Sequence, residues 1–552
     1  MAKPNPYLMN FPPLPEPKKP DNGQDSPPLT EVEKKLFEKI HCELDLAEKE
    51  IPARYRLTED EKKWVENRLL VLGLPLNVNV TFGDVALAEW YSETRSRSEI
   101  NDFSLDFIEG ISLDVPVILA NMECVAGVRS IVAMEREGGL GIIPQMLPIE
   151  KRLEMLEMIG RAECALIDRP LTITKDKTLR QAKAVMNRYR VYSLVVIDSQ
   201  RRPIGILSTR DWLYETDETK LVSELMGGKR KLYTAPRNVS FAEAAKILRK
   251  HRIEKLPLIG KYGRLAGLIT AKGLFYNKHY PRATRDDKGR FLKVGSIGVG
   301  QHFTKKHLEE VELQVKAGIS MLLIDTARAF SVNTSEAIQT VRARFPNLPL
   351  MVGNVSTPEG AKCLFEQGVD VVKVGQGPGE ACRTREIGIG IPQLSAVAKC
   401  AAIAHYFSEG DGKMRAIVAD GGIKNPGDIA KAIIAGASAV MSGAMFIGTE
   451  ESEAPADLTP EGLRVKEYIG SASSRAQRNR MGRDGFDRMR RPEGVAKLVP
   501  VTGTIADRMH DIIDGLRSCM SYLGVNCATQ LQLKGRFELQ TNAGLFEGTK
   551  KK

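Results

Sequence analysis

The sequence predicts an eight-stranded parallel α/β barrel of the TIM (β/α)8 type, interrupted by a smaller insert. Three observations carry this. Strand-sized apolar runs alternate with amphipathic helices, the pattern of a parallel sheet. Eight such runs can be counted outside a repeated middle segment, the number that closes this kind of barrel. Each runs into a loop holding Gly, Asn or Asp. An open doubly wound sheet is the structural alternative, disfavoured because no GxGxxG follows the first strand.

The chain has 552 residues, 42% hydrophobic and 27% charged, room for two to four domains at about 150 residues each. That composition excludes collagen, coiled coil and wholesale disorder. No run approaches the ~20 apolar residues of a bilayer span. The opening MAKPNPYLMNFPPLPEPKKP lacks the apolar centre of a secretory leader, so a cytoplasmic protein with no membrane partner is expected. The net charge of +11 is mixed with 69 acidic residues along the chain, which argues against DNA and is satisfied by small phosphorylated ligands. Eight cysteines without a CxxC pair indicate neither a zinc site nor a disulfide framework.

Taken in order, residues 1 to about 30 are proline-rich and polar, the composition of a disordered arm. Two helical patterns follow, capped by Thr30 (with Glu33) and by Thr58, and complete an N-terminal arm over 1–75. The first part of the barrel, 76–164, holds PVILANM (116–122) and GLGIIPQ (139–145). From Leu179, LRQAKAVMNRYRVYSLVVIDSQRRPIGILSTRDWL matches FAEAAKILRKHRIEKLPLIGKYGRLAGLITAKGLF, from Phe241, without a gap. Each copy reads helix, strand, turn, strand, helix. The second part of the barrel, 281–552, carries LKVGSIGVG (292–300), MLLIDTA (321–327), LPLMVGN (348–354), VDVVKVG (369–375), RAIVADGG (415–422) and SAVMSGAMF (438–446). A long polar segment, 447–505, precedes a last helix.

The duplicated segment, 165–280, resembles a tandem pair of CBS domains. In that family the Ser/Thr-x-x-Asp after the last strand contacts a nucleotide ribose, which implies Thr209 and Asp211 as contacts for an adenine or guanine nucleotide. Copy two has Gly273 where the Asp should stand. The plainer reading is a packing module without a ligand.

Barrel chemistry belongs at the carboxyl ends of the strands, with phosphate at the loops after strands seven and eight. Those loops are Asp420-Gly421-Gly422 and Ser442-Gly443-Ala444. Glycines let backbone N–H groups cradle an anion, and Asp420 can take sugar hydroxyls; the plain alternative is a pair of tight turns. After strand six, VKVGQGPGEACRTREIGIGIPQ brings Cys382 to the mouth on a glycine-rich loop. Arg383 and Arg385 beside it favour the thiolate, making Cys382 a candidate nucleophile. Thr384 stands near enough to hold a water or leaving group.

The ordered set ANM (120–122), IDTA (324–327), GNV (353–355), GxGPGxxCxTR (375–385), GxGxPQ (388–393), ADGG (419–422) and EG (493–494) resembles the IMP dehydrogenase/GMP reductase family over about 75–545. The resemblance implies a Cys382 thiolate attacking C2 of the purine of a nucleoside 5′-monophosphate. It implies Asp420 at the ribose, Gly421, Gly422, Ser442 and Gly443 at the phosphate, Gly470 and Ser471 as a purine-contacting turn, and Asp325 and Asn354 near purine and nicotinamide. Carbonyls of Gly375, Gly377 and Cys382 would form a monovalent-cation (K+) site, and the assembly would be a homotetramer or larger.

The family's branches diverge from there. The dehydrogenase converts IMP, NAD and water to XMP and NADH, using an Arg-Tyr pair on a flap. Here Met489 follows Arg488 where the Tyr would stand, and methionine has no proton to exchange. The reductase deaminates GMP with NADPH, using a Thr and a Glu that Thr384 and Glu493 match. ILANMECVAG, PRATRDDKGR, EYIGSASSRAQRNR, FDRMRR and FELQTNAGLFEG resemble a bacterial group of CBS-containing GMP reductases. Glu380, Ser471 and Arg328 depart from the usual family residues, which keeps open a third reading, a catalytically altered barrel serving as a nucleotide sensor.

Overall fold

All eight expected strands lie in one sheet: β1 (Val117–Leu119), β2 (Leu140–Gly141), β3 (Val294–Ile297), β4 (Met321–Asp325), β5 (Leu350–Val355), β6 (Val371–Val374), β7 (Ala416–Asp420) and β8 (Ala439–Ser442). Every neighbouring pair is parallel, and β8 pairs with β1. A parallel bridge between Ile142 and Val294 joins β2 to β3 and closes the ring. The computed structural model describes residues 52–162, 165–189, 191–226, 231–286, 289–470, 473–474 and 494–548. Described residues from Leu57 onward belong to one compact unit. The Thr30-capped pattern lies outside the described residues.

The strands are short Val/Ile/Leu runs because both of their faces are buried. Alternation sorts them into two cores. Leu323, Met351, Val371, Val418 and Met441 point inward and cluster with Phe107 and Leu113. These last two come from a hairpin, Leu105–Ile108 paired with Ile111–Leu113, so apolar side chains occupy the barrel near the strands' amino ends. Ile324, Val352, Val374, Ala419 and Val440 point outward, against the helices. Helix starts are written locally: Thr357 caps a helix with Pro358 in its first turn, and Asn425 does the same before Pro426.

The helix Glu59–Val71 starts at its predicted cap, Thr58, and the structure adds a capping box with Glu61. Glu61 has a second task. Lys362, on the helix after β5, donates to both Glu61 carboxylate oxygens at 2.6 and 2.7 Å, with both side chains buried.

Between the helix Ile149–Arg161 and β3 lies the insert. Copy one runs Leu179–Tyr189, Ser193–Ile197, Pro203–Ser208; copy two runs Phe241–His251, Lys255–Ile259, Leu265–Thr270, every boundary displaced by the same 62 residues. Each copy has its own small core, around Ala182 and Leu194 in one and Ala244 and Leu256 in the other. Val195, Ile197 and Leu268 join the two. The strand that leads into copy one, Leu166–Ile167, completes the sheet of copy two.

Segment 447–505 is not merely polar linker. It contains an antiparallel sheet of β9 (Ala456–Leu458), β10 (Arg464–Ile469) and β11 (Ala496–Pro500). Its strands are hard to read in sequence because the apolar positions alternate over only five or six residues and are interleaved with Lys, Arg and Glu.

Breaking a buried ion pair from one side leaves an uncompensated charge and costs about 3–5 kcal/mol. Lys362→Met should therefore lower unfolding stability by about that much in urea titration, and Glu61→Gln added to it should recover part of the loss. A cost below about 0.5 kcal/mol, the scale of surface substitutions, would show that the pair does not hold the helix.

Candidate active site

Inward alternation carries a charged layer to the carboxyl ends of the strands. On β6, Val371 and Lys373 face inward together, and on β4 and β7 the final inward residues are Asp325 and Asp420. Lys373 is buried. Its Nζ lies 3.0 Å from Asp325 Oδ1 and 2.9 Å from Asp420 Oδ2. Burial opposes the ammonium's charge, but Asp325 and then Asp420 outweigh it, and its pKa is raised above the ordinary lysine value. Gly353 makes room for it, since a Cβ there would collide with that of Lys373. Lys373 sits inside an apolar strand, and its one signal in the sequence is a lone lysine in VVKV.

The layer extends outward by amides. Asn121 Nδ2 donates to Asp325 Oδ2 at 2.9 Å and Gln145 Nε2 to the same oxygen at 3.2 Å. Asn354 Nδ2 donates to Asp420 Oδ2 at 2.8 Å and to Gly375 O at 2.7 Å. Asp325 and Asp420 remain 19% and 22% exposed, so both can be reached from the mouth.

The loops after β7 and β8 require their glycines. Gly421 and Gly422 have φ of +88° and +79°, and a Cβ on Gly421 would lie 2.9 Å from Gly379 N. A Cβ on Gly443 would lie 2.8 Å from the Tyr468 hydroxyl. Ser442 Oγ accepts from Met445 N at 3.3 Å, leaving its proton available to donate. Tyr468 is as inconspicuous in the sequence as Lys373; it is buried, and burial pushes its phenol far above the ordinary range, so it stays a neutral hydroxyl. Its signal is the EYIG run leading to Gly470.

On the loop after β6, Cys382 Sγ and Thr384 Oγ1 are 3.1 Å apart. Cys382 N donates to Gly379 O at 2.9 Å. The arginines do not serve as expected: Arg383 pairs with Glu386 at 3.4 Å and Arg385 donates to Ile391 O at 3.0 Å, so both guanidiniums are occupied away from the thiol. Glu380 is neutralised by Lys497 on β11, not by either arginine. Gly494 pairs with Cys382, Val495 N donates to Ala381 O at 3.1 Å, and Gly470 N donates to Val495 O at 2.8 Å. Gly494 and Val495 are thus fastened to the cysteine loop, and Gly470 is fastened to Val495. Ser471, Arg488, Met489 and Glu493 lie outside the described residues.

Thr209 and Asp211 stand apart from this cluster, in the insert. Asp211 Oδ2 accepts from Ser208 N and Oγ, both at 2.7 Å, which caps its own short helix. In copy two, Gly273 N donates to Thr270 Oγ1 at 2.9 Å instead. Among the described residues no group of three or more His, Cys, Asp or Glu side chains is placed to hold a metal ion, and no helix is long and apolar enough to cross a membrane.

Residues 79–551 match a family model described as IMP dehydrogenase / GMP reductase domain. The chain is 39% identical over 476 residues to an inosine-5′-monophosphate dehydrogenase of Aquifex aeolicus, covering 85% of this chain and 94% of that one. It is 36% identical over 477 residues to the enzyme of that name from Staphylococcus saprophyticus, covering 85% and 95%. Among solved structures it is similar to a cysteine-to-alanine variant of GMP reductase from Trypanosoma brucei in complex with guanosine 5′-monophosphate, at TM-score 0.77 and 30% identity over 86% of this chain and 98% of that one. It is likewise similar to GMP reductase of that organism in complex with guanosine 5′-triphosphate, at TM-score 0.69 and 29% identity over 85% and 99%.

Removing Lys373 would strand two carboxylates, so Lys373→Met should cost about 3–5 kcal/mol of unfolding stability near neutrality. A lysine whose folded pKa is raised contributes in full below its unfolded value of about 10.4 and loses that contribution only as pH rises past it. The stability gap between wild type and variant should accordingly hold from about pH 6 to 9 and shrink above about pH 10.5; a gap that closes by about pH 8 would contradict the raised pKa.

Proposed function

The chain belongs to the IMP dehydrogenase/GMP reductase family of oxidoreductases, and on that premise we propose that it converts GMP to IMP and ammonia with NADPH, through a covalent bond to Cys382. The observation that carries this reading is the 3.1 Å contact between Cys382 Sγ and Thr384 Oγ1, on a loop paired with Gly494, the residue after Glu493. A nucleophile and a hydroxyl able to pass a proton stand side by side.

The phosphate sits among Gly421, Gly422, Ser442 and Gly443, with the Tyr468 hydroxyl behind Gly443. Asp420, held by Lys373 and Asn354, takes the ribose hydroxyls. The Gly470–Ser471 turn contacts the purine. Cys382 adds its sulfur to C2, and Thr384, relayed to Glu493, protonates the exocyclic amine, which leaves as ammonia. A thioimidate-type C2–S bond remains. Asp325 and Asn354 would hold NADPH, which would supply the hydride for C2 as the sulfur leaves as the Cys382 thiolate. The whole consumes GMP, NADPH and two protons and gives IMP, NADP+ and ammonium. A monovalent cation fits less well: Gly375 O is turned to Asn354 Nδ2, leaving Gly377 and Cys382 as carbonyls able to face one.

Dehydrogenation of IMP with NAD is the second reading, favoured by the names of the curated relatives. Against it stands Met489, which cannot share in activating water. The insert is read as a tandem CBS module that senses adenine or guanine nucleotides. Asp211 is engaged in its own cap, so ribose binding there would have to draw on its remaining acceptor capacity. A cytoplasmic homotetramer or larger assembly completes the proposal.

Absorbance of the reduced cofactor tests the direction. GMP with NADPH should consume cofactor and release ammonia, Cys382→Ala should abolish turnover, and Glu493→Gln should slow it by about 10²-fold, the scale of a lost general acid. NADH formation from IMP and NAD, without ammonia from GMP, would reverse the assignment.

A further inference from the structure

Glu380 places a carboxylate beside the loops assigned to the phosphate, where a dianion would be repelled. Its partner Lys497 resolves this. We propose that Lys497 is a binding residue for the substrate's 5′-phosphate, aimed by Glu380; the inference rests on the nucleotide reading above.

The placement comes from register and close approach. Lys497 is the antiparallel partner of Tyr468, and directly opposed residues present their side chains on one face of the sheet. The Tyr468 hydroxyl lies against Gly443. From the other side, Gly379, the residue before Glu380, lies against Gly421. The Glu380–Lys497 pair therefore bridges the two structures that bracket the glycine cradle. Both side chains keep access to solvent, 49% and 37% exposed. Pairs as exposed as this contribute little to stability.

Chemistry favours the assignment. A phosphate monoester carries about −1.5 to −2 charges at neutral pH, while the cradle otherwise offers backbone N–H groups and hydroxyls. An ammonium has three donors. One can remain on Glu380 while others reach phosphate oxygens, so the carboxylate holds the cation in place rather than opposing the ligand. Lysine suits this as a compact point charge.

Calorimetric titration of the full chain with GMP, and separately with guanosine, tests the contact. Lys497→Met should weaken GMP binding by about tenfold or more, the scale of one hydrogen bond to a charged group, with guanosine affinity unchanged. Lys497→Arg should restore GMP binding, and Glu380→Gln should retain it, since the amide oxygen can still accept from the ammonium and keep it aimed. If Lys497→Met binds GMP as wild type does, or loses GMP and guanosine alike, the assignment is overturned. Wild-type protein that binds neither GMP nor IMP would instead overturn the nucleotide reading beneath it.

Discussion

One ammonium, that of Lys373, holds the mouth of the barrel together. It is buried between Asp325 and Asp420, and each contact of this kind is worth on the order of 4 kcal/mol at an effective dielectric of about 20. Desolvating a charge costs several kcal/mol per ion, so a single carboxylate would leave the lysine marginal. Two make its charge secure. In return the lysine fixes two carboxylates from different strands at a set separation, and the amides of Asn121, Gln145 and Asn354 complete the layer.

The rest of the site is hung on that layer. Asn354 reaches from Asp420 to Gly375 O and so ties the charged layer to the loop that carries Cys382. Gly375 must be glycine, because a Cβ there would collide with the Asp420 carbonyl oxygen. The loop is then strapped from outside by Gly494 and Val495. Cys382, Asp420 and the glycine loops after β7 and β8 thus share one frame, though they come from separate stretches of chain.

The barrel is legible in the sequence because its strands are buried on both faces and so read as apolar runs, and because several lead into a glycine, asparagine or aspartate at the mouth, such as Asn121, Gly375 and Asp420. The duplication was legible because its two copies keep one spacing throughout. Lys373 was hidden by its setting, a polar residue in an apolar strand whose partners lie far off in the chain on either side. Tyr468 and Lys497 were hidden for another reason: β10 and β11 pair across the flap, and nothing local in RVKEYI or AKLVP announces that register. The arginines beside Cys382 turn to Glu386 and to Ile391 O, partners that their place next to the cysteine in sequence does not announce.

A sulfur–purine bond at Cys382 can be caught by mass spectrometry of protein quenched with acid after mixing with GMP alone. The expected result is a nucleotide adduct on the peptide containing Cys382, formed with loss of ammonia and discharged when NADPH is added before the quench. Protein that turns GMP over with no adduct at Cys382, or with an adduct on another cysteine, would contradict it.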